Sequence, residues 1–159
     1  MVRDAAAAAF WRFSLLVYGR PGVADALIRL QDQGGHNVNL VLFALWLGSC
    51  EGVRLDAAGL TRAHQAIEHL DREVVAPLRR LRRALKADAD ADVQALRRRV
   101  LALEIAAERR VQARLATSAM PRKTRAGRRK TITEANLRLV LGDDLVSEAA
   151  RALRAALAL

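Results

Sequence analysis

Residues 36–48, HNVNLVLFALWLG, decide the fold, because two asparagines and a histidine precede eight consecutive apolar residues. Asn37 stands where a helix N-cap is expected, since its side-chain oxygen can accept a hydrogen bond from a free amide of the first turn. The helix that follows is apolar on every side, and such a helix is normally the buried centre of a bundle. Asn39 lies inside the first turn, where a buried amide costs about 1–3 kcal/mol unless it finds a partner. The stretch therefore predicts a capped central helix and leaves Asn39 as a candidate site residue.

The composition predicts an all-α protein. The chain has 159 residues, of which 52% are hydrophobic and 4% aromatic, and Ala and Leu, which predominate, favour helices over strands. Lys and Arg number 27 against 17 Asp and Glu, which gives a net charge of +10. Such an excess attracts nucleic acids, acidic membrane surfaces and acidic proteins alike. We therefore expect an acidic partner, which is either a protein or a nucleic acid.

Three features favour a cytoplasmic protein. The single cysteine, Cys50, cannot form an internal disulfide. Asp4 and Arg12 flank the N-terminal alanine run, which argues against a signal peptide. The apolar run over residues 40–47 is far shorter than the ~20 residues of a membrane-spanning helix. We therefore expect no membrane insertion.

Apolar spacing predicts a single-domain helical bundle of about seven helices. Two helices should precede the central one, over residues 4–18 and from Pro21 to Gly34-Gly35. Helices four and five should then form a long antiparallel hairpin over residues 57–117, because each carries apolar residues at steps of three and four. Pro77 lies within helix four and lacks an amide hydrogen, so we expect a kink or a helix junction near Ala76.

The predicted seam of the hairpin defines which side chains should be buried. In helix four its residues are Leu60, Ala63, Ile67, Leu70, Val74, Leu78, Leu81 and Leu85, and in helix five they are Val93, Leu96, Val100, Leu103, Ala107, Val111 and Leu115. The division of the chain follows: residues 1–117 form the helical core, 118–132 a basic linker or loop, and 133–159 a C-terminal helical pair that packs on the core.

Several short motifs resemble a known family. The chain is similar to an uncharacterised family of small helical proteins, largely proteobacterial, that is classified as a domain of unknown function. The resemblance extends over residues 10–48 and, more weakly, to residue 115. Its motifs are Phe10-Trp11-Arg12-Phe13-Ser14-Leu15 with Tyr18, Pro21-Gly22-Val23, Val38-Asn39-Leu40, Leu42-Phe43, Leu45-Trp46-Leu47-Gly48, and Pro77-Leu78-Arg79 with Arg82. The resemblance implies a helical fold and a cytoplasmic location, and it implies no activity.

Basic residues cluster at one predicted end of the hairpin and in the linker. Such a surface can neutralise phosphates or carboxylates of a partner; alternatively, the arginines are compositional and their stems cover helix surfaces. The proposed partner surface consists of Arg79, Arg80, Arg82, Arg83, Arg97, Arg98, Arg99, Arg122, Lys123, Arg125, Arg128, Arg129 and Lys130. Our leading hypothesis is a non-enzymatic interaction module that contacts an acidic protein or a nucleic acid through this surface.

A small-ligand or metal pocket, which would allow catalysis, is the alternative hypothesis. Its candidate lining residues are His36, Asn39, Trp46, His64 and Glu68. His64 and Glu68 are four residues apart and share a helix face, and Glu104 and Glu108 would complete a mixed metal site if the hairpin register allowed it. The sequence contains neither a nucleophile with a local base nor a glycine-rich phosphate loop, so we predict no catalytic residue, metal or cofactor. Self-association through the helical seam is a third hypothesis.

Overall fold

The structure is a computed structural model that describes residues 2–118 and 128–158. Every regular element within these ranges is helical, which confirms the all-α prediction. The α-helices are α1 (Val2–Tyr18), α2 (Val23–Gly34), α3 (Val38–Trp46), α4 (Ala57–Leu70), α5 (Ala76–Ala84), α6 (Ala91–Ser118), α7 (Arg129–Leu141) and α8 (Glu148–Ala156). Leu47–Glu51 and Asp71–Val75 are π-helical, and Leu85–Ala87 and Gly142–Val146 are 3₁₀-helical. No helix in the described ranges is both long and apolar enough to cross a lipid bilayer.

The central stretch forms α3, and its cap is the one that the sequence predicts. Asn37 Oδ1 accepts hydrogen bonds from the backbone amides of Asn39 at 2.9 Å and Leu40 at 3.3 Å. Every residue of α3 is buried, because α1, α2, α6 and α7 all pack against it. The apolar run is therefore the centre of the hydrophobic core.

The helix junction predicted near Ala76 is present. α4 ends at Leu70, the π-helical turn Asp71–Val75 follows, and α5 begins at Ala76. A π-helical turn places one more residue in each hydrogen-bonded ring, so it changes which face of the helix meets the core. Val75 is buried and Val74 is exposed as a result. The seam prediction is wrong at Val74 for this reason, and it is also wrong at Leu81 on α5, which is exposed.

The seam prediction is also wrong for part of α6. Val100, Val111 and Leu115 are buried as expected, but Leu96 and Leu103 are exposed. Glu104 is buried instead, and the arginines that pair with it, described below, compensate the loss of hydration that a buried carboxylate suffers.

The C-terminal helices complete the core. α7 begins at Arg129 rather than at Thr133, because residues 129–132 form its first turn. Leu137 on α7 and Leu153 on α8 belong to the same hydrophobic cluster as α3. Gly48 allows a close approach here, since a Cβ at Gly48 would lie 2.5 Å from the Cα of Thr133.

Asn136 joins α7 to the central helix. Its Oδ1 accepts a hydrogen bond from the amide of Leu55 at 2.8 Å. Its Nδ2 donates to the carbonyl oxygens of Ala44 at 3.2 Å and Val53 at 2.9 Å. The side chain is fully buried and is used by three hydrogen bonds, so it holds α7 in place.

Candidate functional site

A groove with a volume of about 540 Å³ lies beside the start of α3. This volume falls in the range of about 300–1,000 Å³ that is typical of ligand sites. Helices α1, α2, α3, α5 and α6 line it, together with the 3₁₀-helical turn Leu85–Ala87. The lining residues are Trp11, Ser14, Leu15, Tyr18, Ile28, Gln31, Val38, Asn39, Leu42, Arg79, Arg82, Arg83, Lys86, Arg97, Leu101, Glu104, Ile105, Glu108 and Gln112.

The walls of the groove are apolar and exposed. Leu15, Tyr18, Ile28, Leu101 and Ile105 line it, and their exposed fractions range from 38% to 56%. Single exposed apolar residues are ordinary on protein surfaces, but several in one concavity indicate an interaction site. The groove is therefore the strongest candidate for a functional surface in the described part of the chain.

A chain of buried polar side chains forms the floor of the groove. Ser14 Oγ lies 3.0 Å from Gln112 Oε1 and 3.0 Å from the carbonyl oxygen of Phe10. Gln112 Nε2 donates to Asn39 Oδ1 at 2.9 Å. Ser14, Asn39 and Gln112 are all buried, and the side-chain oxygen of Asn39 thus has a hydrogen-bond partner.

An ion-pair network forms a second wall of the groove. Arg79 donates to Glu104 at 3.3 Å and to Glu108 at 2.6 Å, and Arg82 donates to both carboxylate oxygens of Glu104. The network holds α5 against α6. Paired in this way, Glu104 and Glu108 do not form the mixed metal site considered with His64 and Glu68.

Burial and charge act in opposite directions on the carboxylates of this network. Burial alone would raise the pKa of Glu104, but the hydrogen bond and charge of Arg82, with those of Arg79, outweigh it and hold the pKa below its ordinary value. Burial raises the pKa of Glu108 above its ordinary value although Arg79 opposes the shift. Desolvation of the nearby Tyr18 phenol, together with the charge of Glu108, raises the pKa of Tyr18 to about 12. Tyr18 is therefore a neutral hydrogen-bonding group in the groove at neutral pH.

The predicted basic surface is divided by the structure. Arg79, Arg82, Arg83 and Arg97 line the groove, whereas Arg80, Arg98 and Arg99 are exposed outside it. Arg83 also pairs with Asp32 at 3.1 Å. The Nε of Arg97 is buried without a hydrogen-bond partner among the described residues. Four of the seven hairpin arginines of the predicted surface thus contribute to one concave surface.

The linker cations lie elsewhere. Arg122, Lys123 and Arg125 lie outside the described residues. Arg129 donates to the carbonyl oxygens of Ser49 and Cys50, at the end of the π-helical turn after α3. Lys130 contacts the carbonyl oxygen of Ala158 at 3.4 Å, and Arg128 is exposed. Arg129 and Lys130 therefore cap carbonyl groups of this chain.

The five residues of the predicted pocket are dispersed, and of these Asn39 alone lines the groove. His36 Nε2 lies 2.7 Å from Asp144 Oδ2, which ties the start of α3 to the segment before α8. Trp46 is buried and stacks on Phe10 with ring centroids 5.1 Å apart. His64 and Glu68 are exposed on α4. The described residues contain no group of three or more His, Cys, Asp or Glu side chains arranged to hold a metal ion.

Sequence reasoning missed Ser14, Tyr18 and Gln112 as site residues. A signal was present on α6, where Glu104, Glu108 and Gln112 follow one another at steps of four and so share one face of a helix. A polar stripe inside an otherwise apolar seam requires partners on a neighbouring helix, and Ser14, Asn39 and Arg79 are those partners.

Comparison with known proteins agrees with the resemblance noted in the sequence. A family model described as "Protein of unknown function (DUF2390)" matches residues 9–115. No curated protein and no solved structure matches the chain. The matched segment contains every residue that lines the groove, whereas α7 and α8 lie beyond it. The match covers more than half of the chain, and the protein therefore belongs to the DUF2390 family.

Proposed function

We propose that the protein is a non-enzymatic interaction module whose groove binds an acidic partner protein. The observation that carries the proposal is the set of large apolar side chains that remain exposed in one concavity with cations beside them. Leu15, Tyr18, Ile28, Leu101 and Ile105 supply the apolar surface, and its burial by a partner would be favourable by roughly 25 cal/mol per Å². The partner would thus remove these exposed apolar side chains from water.

The charges of the groove favour an acidic partner. Two carboxylates line it, those of Glu104 and Glu108, and both pair with arginines of the same wall. Lys86 and Arg97 also line the groove and make no ion pair within the described ranges. A partner carboxylate placed near these two cations would gain attraction and would speed association at low salt.

The apolar walls favour a protein over a nucleic acid. Nucleic acids are bound by rows of cations along the phosphates and by aromatic platforms on which bases stack. Leu15, Ile28, Leu101 and Ile105 supply neither, and Trp11 lies under the guanidinium of Arg109 at 5.8 Å. The alternative of a small ligand is also less favoured, because small-ligand sites bury about 70–90% of their ligand and these walls are widely exposed.

We also propose the finer architecture that the sequence predicts. Arg79 contacts Glu104 and Glu108, Arg82 contacts Glu104, and Gln94 contacts the carbonyl oxygen of Leu85. From Arg79 to Leu85 the chain advances, while the contacting residues after Leu85 step back from Glu108 to Gln94. This opposite order supports an antiparallel hairpin within a single bundle. The exposed free thiol of Cys50 supports a cytoplasmic location, since thiols stay reduced there.

Two adjacent leucines allow a matched test of the groove. Leu15 and Leu16 are 56% and 74% exposed, and Leu15 lines the groove whereas Leu16 does not. The full chain, Leu15→Gln and Leu16→Gln are each immobilised and incubated with nuclease-treated lysate of the source organism at low salt. We expect a protein that binds the wild type and Leu16→Gln and is lost from Leu15→Gln, because only the first leucine would contact the partner.

Other outcomes would overturn the proposal. Equal recovery on Leu15→Gln and Leu16→Gln would mean that the groove is not the binding surface. Recovery from an untreated lysate that disappears after nuclease treatment would identify nucleic acid as the partner. If the wild type forms an oligomer in solution and Leu15→Gln does not, the groove would mediate self-association.

A further inference from the structure

We infer that the partner segment is an amphipathic helix that presents a carboxylate to Asn39 at the floor of the groove. The inference rests on the proposed function, since it assumes that the groove binds a protein. It adds the conformation of the bound segment and the chemical group that the floor recognises.

Asn39 leaves part of its hydrogen-bonding capacity unused. The residue is 4% exposed, it lines the groove, and its side chain has one partner among the described residues, the Gln112 amide. A carboxamide has two N–H donors and one carbonyl oxygen. One contact with Gln112 uses at most one N–H group, so at least one donor is free whichever way the amide is oriented.

A free donor at the floor selects what can cover it. A partner that covered this N–H group with a methyl would remove its hydration and weaken binding by roughly tenfold or more. A carboxylate oxygen satisfies the donor, and a charged acceptor makes the stronger hydrogen bond. The Asp or Glu side chain that carries it would lie on an otherwise apolar face.

The cations of the groove favour a carboxylate over a neutral acceptor. Lys86 and Arg97 line the same groove without an ion pair in the described part of the chain. The buried Nε of Arg97 has no hydrogen-bond partner there. Both cations lie toward the Arg97 end of the groove, whereas Asn39 contacts Gln112 at the other end. They therefore attract an acidic partner over a distance, most strongly at low salt, and a neutral carbonyl gains little from that attraction.

The shape of the groove favours a helical partner. Lining residues on α6 run from Arg97 to Gln112, which spans about 22 Å at 1.5 Å per residue. All walls are helices whose backbone groups are already bonded, so an extended peptide would find no strand edge with which to pair. A helix satisfies its own backbone groups, and about 15 residues of helix match the length.

Selection from a peptide library tests both the binding of a protein in the groove and the recognition of a carboxylate at its floor. Random peptides of about 16 residues, long enough to span the groove as a helix, are displayed on phage and selected on the immobilised full chain. We expect peptides with apolar residues at i, i+4 and i+7 and one acidic residue on the same face. Binding should be lost on Leu15→Gln and kept on Leu16→Gln.

Substitutions in the selected peptide isolate the carboxylate. Replacement of the conserved acid of the peptide by Leu should weaken binding to the wild type at least about tenfold. Asn39→Asp keeps the acceptor for Gln112 but removes the donor. Compared with the wild-type protein, this variant should bind the acidic peptide weakly, whereas its affinity for the Leu peptide should fall by no more than about twofold. Thermal unfolding by circular dichroism checks that Asn39→Asp is folded.

A measurement on the wild type avoids dependence on that variant. In ¹⁵N-labelled protein, the side-chain amide resonances of Asn39 should shift when the acidic peptide binds and should shift less with the Leu peptide. Groove-dependent peptides that lack an acid, or Asn39 amide resonances that stay in place, would overturn the carboxylate and leave the proposed function standing. Failure to select any peptide that distinguishes Leu15→Gln from Leu16→Gln would overturn both.

Discussion

Two buried asparagines distinguish the closed side of this molecule, where α7 packs on α3, from the open side, where the groove lies. Asn136, between α7 and α3, is fully buried and uses its amide in three hydrogen bonds to the backbone. Asn39, at the floor of the groove, is almost as deeply buried and has one side-chain partner among the described residues. The side-chain hydrogen bonds are thus complete at Asn136 and incomplete at Asn39. Burial alone therefore does not identify a binding residue, whereas burial with unused hydrogen-bonding capacity does.

The largest effect should come from the complete amide. Asn136→Leu leaves the Leu55 amide and the Ala44 and Val53 carbonyl oxygens without their partner and should lower the free energy of unfolding by about 3–5 kcal/mol. Asn39→Leu breaks one side-chain contact and should lower it by about 1–2 kcal/mol. Urea denaturation of both variants gives the comparison. Equal losses would mean that Asn39 is as structural as Asn136.

A second test separates the carboxylates of the groove wall. The Glu104 side chain is 5% exposed and pairs with Arg79 and Arg82, so Glu104→Gln should lower the free energy of unfolding by about 3 kcal/mol at pH 7. Glu108→Gln should cost about 1 kcal/mol or less, because burial already disfavours the charge of Glu108. Denaturation at pH 7 measures both, and a larger loss for Glu108→Gln would contradict the expected order.

The pH dependence of Glu104→Gln provides an independent check. The pKa of Glu104 in the folded state lies below its ordinary value of 4.5. A lowered acid pKa stabilises the fold above the unfolded-state value, and this stabilisation is lost as the pH falls through the folded-state value. The difference in unfolding free energy between the wild type and Glu104→Gln should therefore narrow below pH 4.5. Each unit by which the pKa is lowered corresponds to about 1.4 kcal/mol of this stabilisation. If the difference in unfolding free energy stayed constant down to about pH 3, the charge of Glu104 would not be its cause.

A third substitution tests the closed side through packing. The Cβ of Gly48→Ala would lie 2.5 Å from the Cα and 2.7 Å from the backbone nitrogen of Thr133. Backbone cannot move aside as a side-chain tip can, so we expect a loss of about 2 kcal/mol in thermal or urea denaturation. Gly19→Ala is the control, because its nearest neighbour would be the Leu15 carbonyl oxygen at an ordinary 3.5 Å. Equal stability of the two variants would show that α3 and α7 can separate at little cost.

The smallest effect on stability should accompany the largest effect on binding. Leu15→Gln and Leu16→Gln change exposed side chains, so each should alter the free energy of unfolding by less than about 0.5 kcal/mol. Urea denaturation checks this before any binding comparison. Truncation of a buried leucine typically costs about 2 kcal/mol or more. A loss of that size for Leu15→Gln would place Leu15 in the core rather than in a binding surface.

The central helix and its cap were predictable from the sequence because they depend on neighbouring residues. Asn37 and the apolar run after it are adjacent in the chain. The junction before α5 was predictable for the same reason, since Pro77 acts on its own helix. Val74 was not, because its exposure follows from a π-helical turn, which apolar periodicity does not encode.

The groove was predictable only in part. The sequence singled out Asn39, since an amide inside the first turn of a buried helix requires a partner. It did not give that partner, because Gln112 is 73 residues away. Glu104 was invisible to a pattern that counts apolar residues, since its burial depends on Arg79 and Arg82 of another helix. His64 and Glu68 share a helix face, but spacing along one helix does not show whether that face meets solvent.

The contact between Ala44 and Asn136 has a consequence for synthesis of the protein. The two residues are 92 positions apart, and a ribosome adds about 5–20 residues per second. The central helix is thus made roughly 5–20 s before the helix that covers it. During this interval the side of α3 that α7 covers has no partner from its own chain, so we expect this apolar surface to be exposed to aggregation until α7 emerges.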